Sequence, residues 1–115
     1  MDLGDSFSQY QMQAERTATY PNQYSINGLL YTTLGLAGEA GEVANKVKKI
    51  LRDDDGLISN KMRETLIAEL GDVLWYIAMV SDELNYNLSK VAETNLNKLS
   101  QRKSSGTLKG DGDYR

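Results

Sequence analysis

Two pairs of carboxylates are the residues of this chain most able to do chemistry. Glu39 and Glu42 are three residues apart, as are Glu69 and Asp72, and each pair lies in an otherwise apolar stretch. Residues three apart are neighbours on one face of a helix, so each pair places two like charges side by side. Divalent cations such as Mg²⁺ relieve that repulsion, take oxygen ligands and are often shared with substrate phosphates. The two pairs therefore favour a metal-dependent phosphate chemistry.

Both acid pairs lie at the same angular position relative to the hydrophobic stripe of their own helix. At about 100° per residue, each helix has one apolar stripe, with its acid pair displaced to the same side. Antiparallel packing through the stripes would bring the pairs into one cleft, whereas either pair alone also fits a solvated helix face. The stripe residues are Leu29, Leu36, Ala40, Val43, Val47, Ile50 and Leu51 in one helix, and Leu66, Leu70, Val73, Leu74, Ile77, Val80 and Leu84 in the other.

Composition excludes most other catalytic centres. The 115 residues correspond to one domain, and they include no cysteine and no histidine. Disulfide frameworks, Cys/His zinc sites and histidine-based nucleophilic triads are therefore excluded. The net charge of −3 argues against direct nucleic-acid binding. With no 18-residue apolar run and no basic-then-apolar leader, we expect no membrane partner and a cytoplasmic location, in the host cytoplasm if a phage encodes the chain.

Hydrophobic periodicity predicts an all-α bundle of about four helices, without strand alternation. The only proline, Pro21, follows the first helix, and the run that ends at Gly56 forms a turn. Residues 1–102 would form the domain, and 103–115 a tail rich in Gly, Asp and Lys. The predicted helices reach from about Phe7 to Tyr20, from Asn27 to Arg52, from Ser59 to Leu84 and from Leu88 to Arg102.

Four glycines lie in the second predicted helix: Gly28, Gly35, Gly38 and Gly41. Each is unfavourable by about 1 kcal/mol relative to alanine in a helix interior. Gly35 precedes Glu39 by four residues and Gly38 by one. Their missing side chains would admit either a ligand near the carboxylates or simply a closely packed neighbouring helix.

Residues 75–80 are all apolar or aromatic, a run wider than one helical stripe. The extra width predicts a second partner surface, and closed homo-oligomers are its commonest cause. We therefore expect a homodimer or homotetramer whose interface includes the face around Tyr76 and Met79. Trp75, Tyr76 and Met79 also fit either a base pocket or an ordinary core.

Polar and basic residues on the fourth predicted helix offer the complementary charge. Asn95, Lys98 and Arg102 lie within an arc of about 60°, and Lys46 follows Glu42 by one turn. Such cations would neutralise phosphate oxygens that metal ions do not reach. The alternative is a solvated basic face at a helix C-terminus, which the helix dipole favours.

The tail from Gly106 to Arg115 is the last candidate element. Its glycines can expose backbone N–H groups to phosphate, with Lys109 and Arg115 alongside. It lacks the residue order of a P-loop, so a disordered terminus remains the alternative.

The chain resembles the MazG-like nucleoside triphosphate pyrophosphohydrolases of the all-α NTP pyrophosphatase superfamily, over about Tyr31 to Arg102. The resemblance rests on GLAGEAGEV at 35–43, AELGDVLWY at 68–76 and NLNKLSQR at 95–102. It implies Mg²⁺, with Mn²⁺ as a substitute, held by the four carboxylates, one of which orients the attacking water. It further implies polyphosphate contacts from Asn95, Lys98 and Arg102.

The resemblance also implies a reaction. A nucleoside triphosphate would be cut between its α and β phosphates to give the monophosphate and pyrophosphate, in homodimers or homotetramers with the site completed near a subunit boundary. Two alternatives stay open. One is a relative with the same bundle, a dimeric dUTPase or a phosphoribosyl-ATP pyrophosphohydrolase, and the other is a noncatalytic helical interaction module.

Overall fold

The chain folds into α-helices joined by short connections. The computed structural model describes residues 5–113, and within them there is no β-strand and no helix that is long and apolar enough to span a membrane. The all-α prediction is therefore confirmed. The helices are α1 (Ser6–Glu15), α2 (Ile26–Asp53), α3 (Asn60–Glu83) and α4 (Leu88–Ser105).

Two predicted helix ends differ from the structure. The first helix ends at Glu15 rather than near Tyr20, because the next N–H groups bond three residues back, from Thr17 to Ala14 at 2.9 Å, and turn the chain. At the other end of the chain, α4 continues past Arg102 to Ser105, where the following glycine takes a left-handed conformation with φ 75°. Glycine is the usual residue at such a helix end.

Side-chain caps explain why the long helices begin where the sequence predicts. Ser25 Oγ accepts the Gly28 N–H at 3.2 Å, and Ser59 Oγ accepts the Met62 N–H at 3.0 Å. Each cap satisfies an N–H group that has no partner within its own helix. These caps fix the first turns of α2 and α3, and so the phase in which both acid pairs are presented.

The pair of α2 and α3 is antiparallel, which is the arrangement in which the acid pairs are expected from the sequence to share one cleft. At 1.5 Å per residue, the 28 residues of α2 extend over about 42 Å. The end of α3 lies beside the start of α2, and the start of α3 lies beside the end of α2. The matched positions are Gly28 with Glu83, Gly35 with Tyr76, and Lys46 with Glu69.

The buried core lies where α1 packs against α3 and α4. Its members are Ala14, Tyr20, Ala78, Met79 and Leu88. Met79 is fully buried, with no exposed surface, because α1 covers this part of α3. The expectation that Met79 belongs to an oligomer interface is therefore wrong, since the periodicity of α3 alone does not reveal where α1 packs.

Much of the apolar surface of α2 and α3 stays uncovered in the single chain. Ile50 is buried, but Leu51 is 70% exposed, Leu70 54% and Leu84 60%, although all three belong to the predicted stripes. The radius of gyration is 16.9 Å, against about 13 Å for a compact domain of this length. The long helix pair thus extends beyond the small core around α1.

Candidate metal centre

Three of the four predicted carboxylates meet at the middle of the helix pair. Glu39 on α2 and Glu69 and Asp72 on α3 each offer one oxygen, and these oxygens lie within 4.8 Å of one another. Glu39 and Glu69 are half-buried, whereas Asp72 is exposed, so the cluster is open to solvent on one side. An oxygen-only donor set accessible to water is what Mg²⁺ requires.

The electrostatics of the cluster agree with the repulsion predicted from the sequence. Burial, the negative charges of Asp72 and Glu69, a hydrogen bond with Glu69 and, to the smallest extent, the charge of Glu42 together raise the pKa of Glu39. A raised pKa means that the charged form of this carboxyl is disfavoured where it stands. A bound cation would reverse that effect, so the donor set fits a divalent metal.

Glu42 and Lys46 lie at the edge of the cluster. Within the part of the chain that the structure describes, Glu42 is not among the converging carboxylates, and its side chain is 54% exposed. Lys46 Nζ lies 3.8 Å from Glu42 Oε2 and 3.5 Å from Glu69 Oε1. Lys46 is thus a cation beside the carboxylates, as predicted, and it links the outer acid of α2 to the cluster.

A cavity of about 340 Å³ opens directly beside the cluster. The indole Nε1 of Trp75 donates to Thr17 Oγ1 at 2.8 Å, and the Trp75 and Tyr76 rings meet edge to face at 5.0 Å. These contacts fix the orientation of the Trp75 ring at the cavity wall. The cavity is lined by Thr17, Glu39, Asp72, Trp75 and Tyr76.

The cavity separates the three residues of the apolar run on α3 for which a base pocket and a core were both open. Trp75 and Tyr76 line it, whereas Met79 belongs to the core. Thr17 was missed by the sequence interpretation, because it follows the end of α1 and belongs to no motif. No signal in the sequence marks it.

Gly35 allows the Tyr76 ring to approach α2 closely. A Cβ built at Gly35 would lie 2.2 Å from Tyr76 Cε1, so any side chain there would displace the ring. Helix packing thus explains this glycine, one turn before Glu39. Gly38 differs, since no described atom lies within 4 Å of its Cβ position.

The predicted phosphate contacts on α4 face the C-terminal tail in this structure. Lys98 Nζ and Arg102 Nη2 both donate to Asp113 Oδ1, at 2.8 Å and 3.3 Å. Asn95 and Lys109 are exposed. The remaining predicted contact, Arg115, lies outside the described residues.

Within the described residues of one chain, neither Lys98 nor Arg102 forms an ion pair with the cluster, and both pair with Asp113 instead. Helix α4 packs against α1 and α3, and within residues 5–113 no backbone contact joins it to α2. Of the predicted substrate-binding residues in that range, Lys46 alone has an ion pair with a member of the cluster.

Comparison with known proteins identifies the fold and the motifs together. The sequence model of the MazG nucleotide pyrophosphohydrolase domain matches residues 28–107, which include both acid pairs and α4. The chain belongs to the MazG family. The resemblance inferred from the three sequence blocks is thereby confirmed.

This MazG chain also has a similar curated relative. It is 55% identical over 109 residues to the Gene 37 protein of Mycobacterium phage L5, with 92% of this chain and 96% of the relative covered. No solved structure matches the chain. The matched family segment begins at Gly28, so α1 and Thr17 precede it.

Proposed function

We propose that this MazG domain is a Mg²⁺-dependent nucleoside triphosphate pyrophosphohydrolase. It would cleave ribo- or deoxyribonucleoside triphosphates between the α and β phosphates, releasing the nucleoside monophosphate and pyrophosphate. The observation that carries the proposal is the convergence of Glu39, Glu69 and Asp72 beside a cavity with aromatic walls. Membership of a nucleotide pyrophosphohydrolase family supports the same substrate class.

The carboxylates would hold the metal. Glu39, Glu69 and Asp72 are the first candidates as ligands, and Glu42, one turn along α2, is the fourth. Bound Mg²⁺, or Mn²⁺ in its place, supplies Lewis acidity that acidifies a water molecule and neutralises phosphate oxygens. A carboxylate oxygen that is not a ligand would accept the proton of the attacking water. Lys46 would add positive charge at the edge of the same site.

The cavity supports a nucleoside as the group attached to the phosphates. Its volume of about 340 Å³ lies within the range typical of small-molecule sites. The rings of Trp75 and Tyr76 offer apolar surface on which a base can stack, and Thr17 Oγ1 is a polar group on the same wall. A substrate with its base in this cavity would have its phosphates near the carboxylates.

The distribution of apolar surface and of cations supports a homodimer or homotetramer. Large apolar side chains on α2 and α3 are exposed, among them Leu34 at 63% and Ile67 at 60%. A second copy on this surface would bury them. It would also bring the α4 of a partner toward the carboxylates, while within one chain Lys98 and Arg102 pair with Asp113.

A substrate panel tests this proposal. The protein would be incubated with ribo- and deoxyribonucleoside triphosphates, dUTP and phosphoribosyl-ATP, with Mg²⁺ or with EDTA, and the products separated by chromatography. Monophosphate plus pyrophosphate, formed only with metal and lost in Glu69→Gln, would support it. Glu64→Gln is the matched control, an exposed glutamate on the same helix. Diphosphate plus inorganic phosphate would contradict the proposed cleavage position, and no turnover would favour a noncatalytic module.

A further inference from the structure

The C-terminal tail folds back onto the end of α4. Gly106 reverses the chain with φ 75°, and the Thr107 N–H donates to the Arg102 carbonyl at 2.8 Å. Ser105 Oγ and Thr107 Oγ1 form a further hydrogen bond at 2.7 Å. Through this turn the tail returns to the basic residues of α4, although it has no periodic structure of its own.

At its end the tail places one carboxylate on two cations. Asp113 Oδ1 accepts from Lys98 Nζ at 2.8 Å and from Arg102 Nη2 at 3.3 Å, and the Gly112 carbonyl accepts from the same Nη2 at 3.3 Å. The side chain of Arg102 is only 6% exposed, whereas that of Asp113 is 70% exposed. Hydrogen bonds from Lys98 and Arg102 hold the pKa of Asp113 below its usual range. The carboxylate therefore lies on the solvent side of a largely buried guanidinium.

This arrangement is one that a phosphate oxygen would also take. Lysine and arginine bind carboxylate and phosphate oxygens through the same charge-assisted hydrogen bonds, so the two anions compete for one position. A buried guanidinium without an anionic or polar partner is unfavourable. Pairing with Asp113 therefore stabilises Arg102 when no substrate is present. The Asp113 side of the pair is exposed to solvent, which weakens the pair, so a polyphosphate can displace the carboxylate.

We propose that the tail is a built-in competitor of the polyphosphate: Asp113 occupies the oxygen position between Lys98 and Arg102 until the substrate displaces it. The inference rests on the proposed function, because it assumes that these two cations bind phosphate. Its consequence is that the tail weakens the apparent affinity for polyphosphate without contacting the carboxylate cluster. Tail opening then precedes or accompanies substrate binding.

Binding of inorganic tripolyphosphate to the full chain tests this directly. Titration calorimetry would compare the unaltered chain with Asp113→Asn and with Asp111→Asn. The Asp111 variant is a matched control, since it removes one charge from an exposed residue of the same tail. We expect Asp113→Asn to bind about two- to fivefold more tightly, because apparent affinity falls with the fraction of binding-competent molecules and exposed pairs are weak. Asp111→Asn should show no such gain.

A second measurement follows the tail itself. In ¹⁵N NMR spectra, tripolyphosphate should shift the amide signal of Gly112 in the unaltered chain, as the tail leaves α4. In the double variant Lys98→Ala with Asp113→Asn, the gain in affinity should disappear. Equal affinity in the two single aspartate variants, weaker binding by Asp113→Asn, or no tripolyphosphate binding at all would each overturn the inference.

The same data separate this inference from the proposed function. If the ranking of affinities holds while no nucleoside triphosphate is hydrolysed, the tail competes for anions but the proposed reaction is wrong. If hydrolysis proceeds while the ranking fails, the reaction stands and the tail has no such role.

Discussion

Lys46 Nζ on α2 lies 3.5 Å from Glu69 Oε1 on α3, so a lysine joins the two helices at the edge of the carboxylate cluster. Its charge opposes the repulsion among the acids but does not remove it, because the pKa of Glu39 is still raised. The metal-free cluster is therefore an electrostatically unfavourable arrangement. That property can be measured without any assay of turnover.

We predict that Glu39→Gln raises the melting temperature of the metal-free protein at pH 7 and reduces the gain on adding Mg²⁺. A folded-state pKa above the unfolded value means that stability is fully present below the unfolded pKa and is lost as pH rises through the folded pKa. At pH 7 the charged carboxyl therefore destabilises the fold, and glutamine removes that charge. Calorimetry in EDTA and in Mg²⁺ measures both effects, with Glu64→Gln as the control that should change neither. A lower melting temperature in EDTA with an unaltered Mg²⁺ gain would contradict the metal site.

Alanine substitutions at Glu39, Glu69 and Asp72 should each reduce kcat by at least about 100-fold, because each would remove a proposed metal ligand. Helical circular dichroism should stay nearly unchanged, since the three residues lie outside the buried core. Glu42→Ala should have a smaller effect, about tenfold, because Glu42 pairs with Lys46 at the edge of the cluster. Unaltered turnover in the first three variants would refute the assignment.

Two glycine substitutions on one helix should have opposite effects. Gly35→Ala should lower the free energy of unfolding by about 1–3 kcal/mol, because the new methyl group overlaps the Tyr76 ring. Gly38→Ala should raise it by up to about 1 kcal/mol, since alanine favours the helix and nothing described lies against that position. Urea titrations of both variants test the pair. Equal destabilisation by the two would show that a further surface covers Gly38.

Lys98→Ala and Arg102→Ala should each raise KM for the triphosphate and lower kcat. A hydrogen bond to a charged group contributes about 1.5–3 kcal/mol, so kcat/KM should fall by about 10- to 150-fold. Steady-state kinetics over a substrate range measures the change. Lys90→Ala is the control, since Lys90 lies on the same helix in an exposed pair with Glu93. Normal kinetics in both variants would show that these two residues do not bind the substrate and belong to an ordinary solvated helix face.

Mixing two impaired variants tests whether a partner supplies the cations. Light scattering should first give a mass of two or four chains. Glu69→Gln and Lys98→Ala, unfolded together and refolded, should then recover about a quarter of full activity, because half of the dimers are mixed and each holds one intact site. Glu69→Gln with Asp72→Asn should recover nothing, since both substitutions affect the same cluster. A monomer mass for the fully active enzyme would refute the oligomer.

The sequence was sufficient for the helix pair and for the acids that it carries. The bounds of α2 and α3 agree within one residue with the prediction, because Ser25 and Ser59 cap them and a turn separates them. The shared phase of the two acid pairs indicated one cleft if the helices packed antiparallel through their stripes, and the structure brings Glu39, Glu69 and Asp72 together in that way.

Other contacts depend on segments that carry no periodic signal. Asp113 lies in an aperiodic tail, so its pairing with Lys98 and Arg102 could not be predicted from spacing. Thr17 and the burial of Met79 depend on where α1 packs, which neither the stripe of α3 nor its acids determine.

The buried side-chain amide of Gln11 influences where the C-terminal end of α4 lies. It donates to the Tyr86 carbonyl at 3.0 Å and accepts the Leu88 N–H at 2.9 Å, so α1 holds the first residue of α4 in place. Arg102 lies fourteen residues further on, about 21 Å at 1.5 Å per residue, and a tilt of about 10° at Gln11 would move it by about 4 Å. The position of the basic end of α4 therefore depends on contacts with α1, a helix outside the family segment. Substitutions in α1 can therefore shift the position of Arg102 while every residue of the family motifs stays the same.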